Sequence, residues 1–165
     1  MKFIPAPAYH RFDTPLGPML AAATDQGLCG LWFDGQRHQP DMATWRSAPQ
    51  HPLLQQTAAC MDAYFAGDAA SFSLPLDLAG GTPFQQAVWL ALLQIPRGAT
   101  TSYGALSQSL GRPSAVRAVA GAVGRNPVSV LVPCHRVLGM DGALTGYAGG
   151  LERKTALLQL EGVVV

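Results

Sequence analysis

The sequence predicts an α+β chain in two parts, and three observations carry that expectation. Short apolar runs broken by turn residues fill the first part, whereas segments with helical spacing and capping residues fill the second. Ala79-Gly80-Gly81 is the best linker between them, which sets expected domains at residues 1–79 and 80–165. The 165 residues suffice for one domain or two small ones, and a chain that is 48% hydrophobic and 13% charged can bury a core and is not disordered.

In the first part, residues 8–34 read as strands and turns. Thr14-Pro15-Leu16-Gly17 is a turn, and Gly27 to Phe33 is a β segment ended by Asp34-Gly35. Residues 36–50, polar and with prolines, read as loop. Leu53 to Phe65 has helical spacing and stops at Gly67, and residues 71–78 read as one more strand.

The second part is more explicit. Thr82-Pro83-Phe84-Gln85 sets Thr at an N-cap, Pro at the first helical position and Gln three residues after the cap, which is a capping box. That helix is expected to run to about Ile95, before Pro96-Arg97-Gly98. Ser102 to Leu110 reads as a second helix stopped by Gly111. A third, capped by Ser114, runs to about Gly124. Val128 to Val132 reads as a short buried extended run, and Leu151 to Glu161 as a final helix backed by Gly162.

Charge is unevenly spread. Residues 1–82 carry four basic and seven acidic side chains, a net −3, and residues 83–165 carry seven basic and three acidic, a net +4. Leu78 to Met140 holds no Asp or Glu but has Arg97, Arg112, Arg117, Arg125 and Arg136. Such an acid-free, arginine-studded surface suits a polyanionic partner. The first residues lack an apolar signal region and no stretch approaches a membrane span. Three cysteines cannot all pair internally. The expectation is a cytoplasmic protein with reduced thiols, a monomer with no membrane partner.

Pro133-Cys134-His135-Arg136-Val137 is the most informative stretch, pairing the last cysteine with the last histidine. Three readings of it are open. Cys134 can be a buried structural thiol. It can be a metal ligand, which would need Cys29, Cys60, His10, His38 or His51 from the other part without metal-like spacing. It can be a nucleophile with His135 as base, which needs a third group to orient the imidazole. Glu161 is the only acid after Glu152 and the candidate for that group. Adjacent strand residues point to opposite faces, so the pair must sit where extended chain turns, and Pro133 marks such a break. Beside cations and away from acids, the thiol is expected to ionise below the free value of about 8.5.

Residues 102–124 have helix-turn-helix length. On the third helix Val116, Val119 and Val123 share one face, while Ala115, Ala118, Gly121, Ala122 and Arg125 form another with almost no bulk. That face can pack closely on a helix or press against a narrow groove. Only a small-residue face could approach a minor groove about 6 Å across, and Arg117 stands at its edge, placed to reach inward.

The Pro133–Val137 motif, Asn126-Pro127 upstream, Gly146-Tyr147 and Gly149-Gly150 downstream, and Leu157-Leu158 before Glu161-Gly162 together resemble the O6-alkylguanine-DNA alkyltransferase family, the methylated-DNA–protein-cysteine methyltransferases. Ser102-Tyr103-Gly104 and Arg117-Ala118-Val119 fit the same pattern. The resemblance is strong from about Thr82 to Gly162 and weaker over residues 8–35, where Thr14-Pro15-Leu16-Gly17 and Gln26-Gly27-Leu28 still match.

The resemblance implies a small RNase H-like N-terminal α/β domain and a winged-helix-like C-terminal domain with a helix-turn-helix. It implies single-turnover transfer of the alkyl group of O6-methylguanine, and of O4-methylthymine, from double-stranded DNA to Cys134 after base flipping. No cofactor is implied. His135 would accept the thiol proton through a water, Glu161 would hold His135, and Asn126 would tie the recognition helix to the active-site segment. Arg117 would fill the gap left by the flipped nucleotide, with Ser102, Ala115, Ala118, Gly121, Ala122 and Arg125 also at the DNA. Tyr103, Val137, Tyr147 and Ala148 would line the base pocket, Tyr103 stabilising the leaving group. Cys29 and Cys60 lack the companions of the structural zinc found in some relatives, so no metal is expected. Related non-catalytic sensors have tryptophan at the nucleophile position, and Cys134 argues against that reading. Ala148 stands where some relatives have serine, and the chain resembles the stand-alone form. The competing readings are a helix-turn-helix damage or redox sensor that uses Cys134 as a switch, and a cysteine hydrolase.

Overall fold

The computed structural model describes residues 3, 5–68 and 72–165 and forms two compact units: Met1–Gly80 with Pro127–Ser129, and Gly81–Asn126 with Val130–Val165.

The first unit is built on a four-stranded sheet in the order β3-β2-β1-β4. Strand β1 (Ala8–Phe12) pairs antiparallel with β2 (Met19–Thr24), and β2 pairs antiparallel with β3 (Gly27–Phe33). The turn between β1 and β2 is the one expected. Thr14 Oγ1 donates to the Gly17 carbonyl at 2.6 Å and accepts from Leu16 N at 3.2 Å, and Gly17 takes φ 106°. Strand β3 is buried along its whole length, and its apolar run reflects that. A Cβ on Gly30 would fall 1.8 Å from the Trp32 ring, so only glycine fits there.

Arg46–Ser47 forms β4, a two-residue parallel addition to β1 inside the stretch expected to be loop. Helix α1 (Pro52–Phe65) buries Leu54, Thr57, Met61 and Tyr64. The strand expected at 71–78 reduces to a single parallel bridge, Leu28 with Leu76; Ser71 lies outside the described residues. The edge of β3 takes a second short partner. Leu31 bridges Val128, with Leu31 N donating to the Pro127 carbonyl and Ser129 N to the Leu31 carbonyl, each at 2.8 Å. The side-chain oxygen of buried Gln36 accepts from Phe33 N at 2.8 Å and from Ser129 Oγ at 3.2 Å.

The second unit begins with α2 (Pro83–Leu92), which carries the full capping box at Thr82 and ends at Leu93, short of the expected Ile95. Trp89 anchors it: its indole N–H donates to the Ala122 carbonyl at 2.8 Å, and a Cβ on Gly81 would meet its ring at 2.2 Å. Strand β5 (Thr101–Ser102) runs into α3 (Tyr103–Ser109), whose N-cap Ser102 accepts from Ala105 N at 3.0 Å. Gly111 makes the turn at φ 67°, and Ser107 Oγ closes it on the Arg112 carbonyl. Helix α4 (Val116–Gly124) starts from Ala115 without a side-chain cap, so Ser114 does not cap it. Strand β6 (Val137–Leu138) pairs parallel with β5, and α5 (Leu151–Leu160) closes the unit.

The expected extended run from Val128 to Val132 is extended only at its Val128 bridge. It then turns, with buried Val130 at φ 72°. A β-branched residue rarely adopts that backbone and does so at a cost of order 1–3 kcal/mol, so tertiary contacts must hold it there.

Candidate active site

Four elements of the second unit deliver the site. Cys134–Arg136 forms one turn of 3-10 helix between Pro133 and β6, so Cys134 and His135 stand where extended chain breaks. Asn126 follows α4, Tyr103 opens α3, and Glu161 ends α5.

Cys134 is buried, and its Sγ accepts from Asn126 Nδ2 at 3.0 Å; the same amide nitrogen donates to the Val132 carbonyl at 2.7 Å. Burial pushes the thiol above its ordinary pKa. The Asn126 hydrogen bond, the Lys154 charge and backbone N–H groups pull it back, in that order of weight, without reversing the shift. The expected acidic thiol is therefore corrected: the pair lies inside the protein rather than on a charged surface, and desolvation dominates.

His135 is fully buried. Its Nε2 lies 2.8 Å from Glu161 Oε1, whereas Nδ1 has no hydrogen-bond partner among the described residues. A carboxylate at Nε2 places the proton there and leaves the Nδ1 lone pair free. Burial lowers the imidazole pKa, and the Glu161 hydrogen bond and charge oppose it without restoring it, so the ring is a neutral base. Glu161 is clamped in turn by Arg136, from Nε to Oε2 at 2.8 Å and from Nη2 to Oε1 at 2.9 Å.

Lys154 on α5 is fully buried. Its Nζ donates to the carbonyls of Val137 at 2.6 Å, Thr145 at 2.9 Å and Gly146 at 3.3 Å, and burial takes its pKa down to about 8. Tyr103 Oη lies 3.4 Å and 3.5 Å from the Thr145 and Gly146 carbonyls, long contacts that a better acceptor could replace. Burial, then the Cys134 charge, raises the phenol pKa.

The structure thus holds Asn126 on Cys134 and His135 on Glu161 in two buried hydrogen-bonded pairs, linked through the consecutive residues Cys134 and His135. Of the proposed pocket residues, Val137 and Tyr147 are buried and Ala148 is half-buried. On α4, Arg117, Ala118 and Arg125 are exposed, and Ala115 and Gly121 are partly so. Ala122 is corrected: it faces inward with Val119 and Val123, while Val116 faces out. The buried positions follow i, i+3, i+4, which moves the apolar stripe by one residue from the expected face.

Sequence reasoning misses two residues. Arg136 stands in sequence among the arginines of the acid-free run, yet it turns inward onto Glu161. Lys154 shares α5 spacing with Leu157, Leu158 and Glu161, and that spacing is the available signal. Among the described residues no group of three or more His, Cys, Asp or Glu could hold a metal ion. Cys29 is buried and pushed up to about 12, far from a reactive thiolate. No helix among the described residues is long and apolar enough to cross a membrane.

A buried thiol, a neutral imidazole and a clamped carboxylate equip this site for nucleophilic group transfer, and known proteins match it over both units. Residues 8–78 match the ribonuclease-like domain of 6-O-methylguanine DNA methyltransferase, and residues 83–163 match its DNA-binding domain. A methylated-DNA–protein-cysteine methyltransferase from Mycobacterium leprae is 46% identical over 149 residues, covering 90% of this chain and 88% of the relative. The crystal structure of Mycobacterium tuberculosis OGT in complex with DNA matches with a TM-score of 0.86 at 44% identity, covering 93% of this chain and 92% of that one. The O6-methylguanine-DNA methyltransferase of Pyrococcus kodakaraensis matches with a TM-score of 0.68 at 27% identity, covering 95% and 99%. With both domain descriptions matched in order, this two-domain chain belongs to the 6-O-methylguanine DNA methyltransferase family.

Proposed function

We propose that this protein repairs DNA by moving the alkyl group of O6-methylguanine, and of O4-methylthymine, irreversibly onto Cys134. The observation that carries this reading is the pair of buried hydrogen bonds, Asn126 to Cys134 and His135 to Glu161, set side by side by adjacent residues. His135 Nδ1 takes the thiol proton through a bridging water, and Glu161 holds the ring by Nε2. The thiolate attacks the alkyl carbon, a C–S bond forms, and the bond from that carbon to O6 breaks with its electron pair left on guanine. Tyr103 stabilises the departing base. The acceptor is the protein's own sulfur, so each molecule acts once and no cofactor takes part.

The target base must leave the duplex before a buried sulfur can reach it. Helix α4 enters the minor groove by Ala115, Ala118 and Gly121, Arg125 and Ser102 contact the strands, and Arg117 occupies the space the base vacates. Val137, Tyr147 and Ala148 receive the flipped base. Residues 1–79 support the fold, residues 80–165 bind and react, and the protein works as a monomer in the cytoplasm. The alternative, a sensor with Cys134 as a redox switch, would bind damaged DNA without transfer. Intact-mass analysis after mixing with O6-methylguanine duplex separates the two. Transfer adds one methyl group per molecule, at Cys134, and Cys134→Ser abolishes it. Unchanged mass, or alkyl on Cys29 or Cys60, would overturn the proposal.

A further inference from the structure

Arg136 does something the relay of Cys134, His135 and Glu161 does not explain. Both oxygens of Glu161 are committed to it, and Oε1 is shared between Arg136 Nη2 and His135 Nε2. The third guanidinium nitrogen donates to the Ile95 carbonyl, just past the end of α2. The Arg136 side chain is 12% exposed and that of Glu161 is 0% exposed, so water screens this ion pair little.

We infer that Arg136 is a positioning residue for alkyl transfer: its bidentate grip fixes the carboxylate that orients His135 and keeps the charge of Glu161 from drawing a proton onto the imidazole. The inference rests on the function proposed above. A buried carboxylate facing a buried imidazole with no other cation favours the imidazolium form, and an imidazolium cannot accept the thiol proton. With a permanent cation already on Glu161, the carboxylate's charge is balanced before the ring is protonated. Arginine suits this duty because it stays charged and its planar fork matches both carboxylate oxygens, whereas a lysine would reach only as a point charge. The other groups around the ring act in known senses. Lys154 opposes its protonation, Glu161 favours it, and Cys134, once ionised, faces Lys154. Arg97, which donates to the Leu160 carbonyl at 3.2 Å, lies at the same end of α5.

The test uses the full chain as Arg136→Lys and Arg136→Gln. Two properties are followed against pH: the His135 imidazole by 15N NMR, and the single-turnover rate of methyl transfer from free O6-methylguanine, which needs no base flipping. Arg136→Gln is expected to raise the His135 pKa by about one unit or more and to move the acid limb of the rate by the same amount, a tenfold change per unit on that limb. Arg136→Lys keeps the charge and is expected to restore the titration, while the looser carboxylate leaves the rate below wild type. If Arg136 is only a strut, all three proteins titrate alike and the rates fall by one factor at every pH, which overturns the inference. Should Arg136→Gln not fold, Glu161→Gln is compared by NMR with the double variant Arg136→Gln/Glu161→Gln, which leaves no buried charge unmatched at this pair. His135 must then titrate higher in the double variant; equal values overturn the inference. The NMR readout needs no alkyl donor. A wild-type protein that takes up no methyl group therefore counts against the proposed function, while the His135 titration still decides whether Arg136 controls the imidazole.

Discussion

Asn126 and Cys134 share one hydrogen bond, from Nδ2 to Sγ at 3.0 Å, and the same nitrogen holds the Val132 carbonyl at 2.7 Å. One side chain therefore ties the end of α4 to the Cys134 sulfur and to the backbone just before it. Methylation of Cys134 forces a carbon atom into a site that is 6% exposed and leaves sulfur a weak thioether acceptor. Overpacking and a lost hydrogen bond of this kind each cost on the order of 1–3 kcal/mol. The methylated protein is expected to melt several degrees below the unreacted one. Asn126→Ala should melt lower too and should narrow the gap between reacted and unreacted forms. Equal melting temperatures before and after transfer would contradict this.

Glu161→Gln removes the carboxylate but keeps the shape. It should slow transfer to free base and to duplex alike, by at least about tenfold, because the imidazole loses its anchor and Arg136 its counter-charge. Affinity for undamaged duplex should stay near wild type, since Glu161 is buried away from solvent. Fluorescence anisotropy and single-turnover kinetics on the same preparation check both halves.

The histidine titration sets an acid limit. The folded-state pKa of His135 is lowered from its ordinary 6.5, chiefly by burial. As pH falls through 6.5 the unfolded chain takes up a proton that the folded chain does not, so stability falls on acidification and is retained above that value. In a His135→Gln variant this part of the pH dependence should vanish. Melting curves of both proteins between pH 7.5 and 5.5, about one unit either side of that value, provide the comparison.

Lys154 has the same sign in another window. Its folded pKa of about 8 lies below the ordinary 10.5, so between these values the unfolded chain binds more protons. Its own contribution to stability should rise from pH 8 toward 10.5, the cost of a buried ammonium being present in full below pH 8. Comparing Cys134→Ser with Cys134→Ser/Lys154→Met removes the thiol's opposite titration. Their difference in unfolding free energy should move in favour of Lys154 across that range.

Helix α4 offers a separation of binding from flipping. Ala118→Glu sets a carboxylate on the exposed face and should abolish duplex binding through phosphate repulsion, with the melting temperature unchanged. Gly121→Ala should be tolerated by the fold, since a Cβ there meets only Arg125 Nη1 at 3.5 Å. Ala122→Glu, in contrast, should unfold the protein, because Ala122 is buried and its carbonyl receives Trp89. Arg117→Ala should lose far more repair of duplex than binding to it and should leave reaction with free O6-methylguanine unchanged. An equal loss on both substrates would mean that Arg117 supports the pocket.

What can be read from the chain is what local chemistry determines. The Thr82 capping box and the Thr14–Gly17 turn each close within four residues, and each is legible as a pattern. The Cys134-His135 pair is legible because the proposed nucleophile and its proposed base happen to be neighbours. What depends on distant partners is not. Strands β4 and β6 are two residues long and exist only through pairing with β1 and β5. The thiol shift is expected in the wrong direction when arginines near in sequence are taken as near in space, whereas burial sets it, opposed by Asn126, Lys154 and backbone N–H groups. Arg136 and Lys154 read as surface cations by type, and only their acceptors, Glu161 and three carbonyls, show otherwise.

The passage of Pro127–Ser129 along the edge of β3 bears on how this polypeptide can be divided. A gene fragment ending at Gly80 would encode a sheet whose Leu31 N–H and carbonyl have lost their partners, an open edge prone to recruit strands from other molecules. The complementary fragment would carry the missing tripeptide as a loose tongue, tethered between Asn126 and the turn at Val130. Expressed apart, the halves should be aggregation-prone and inert. Expressed together, they have a built-in adaptor, because a tripeptide that adds to a sheet edge is the same device by which separate chains recognise one another.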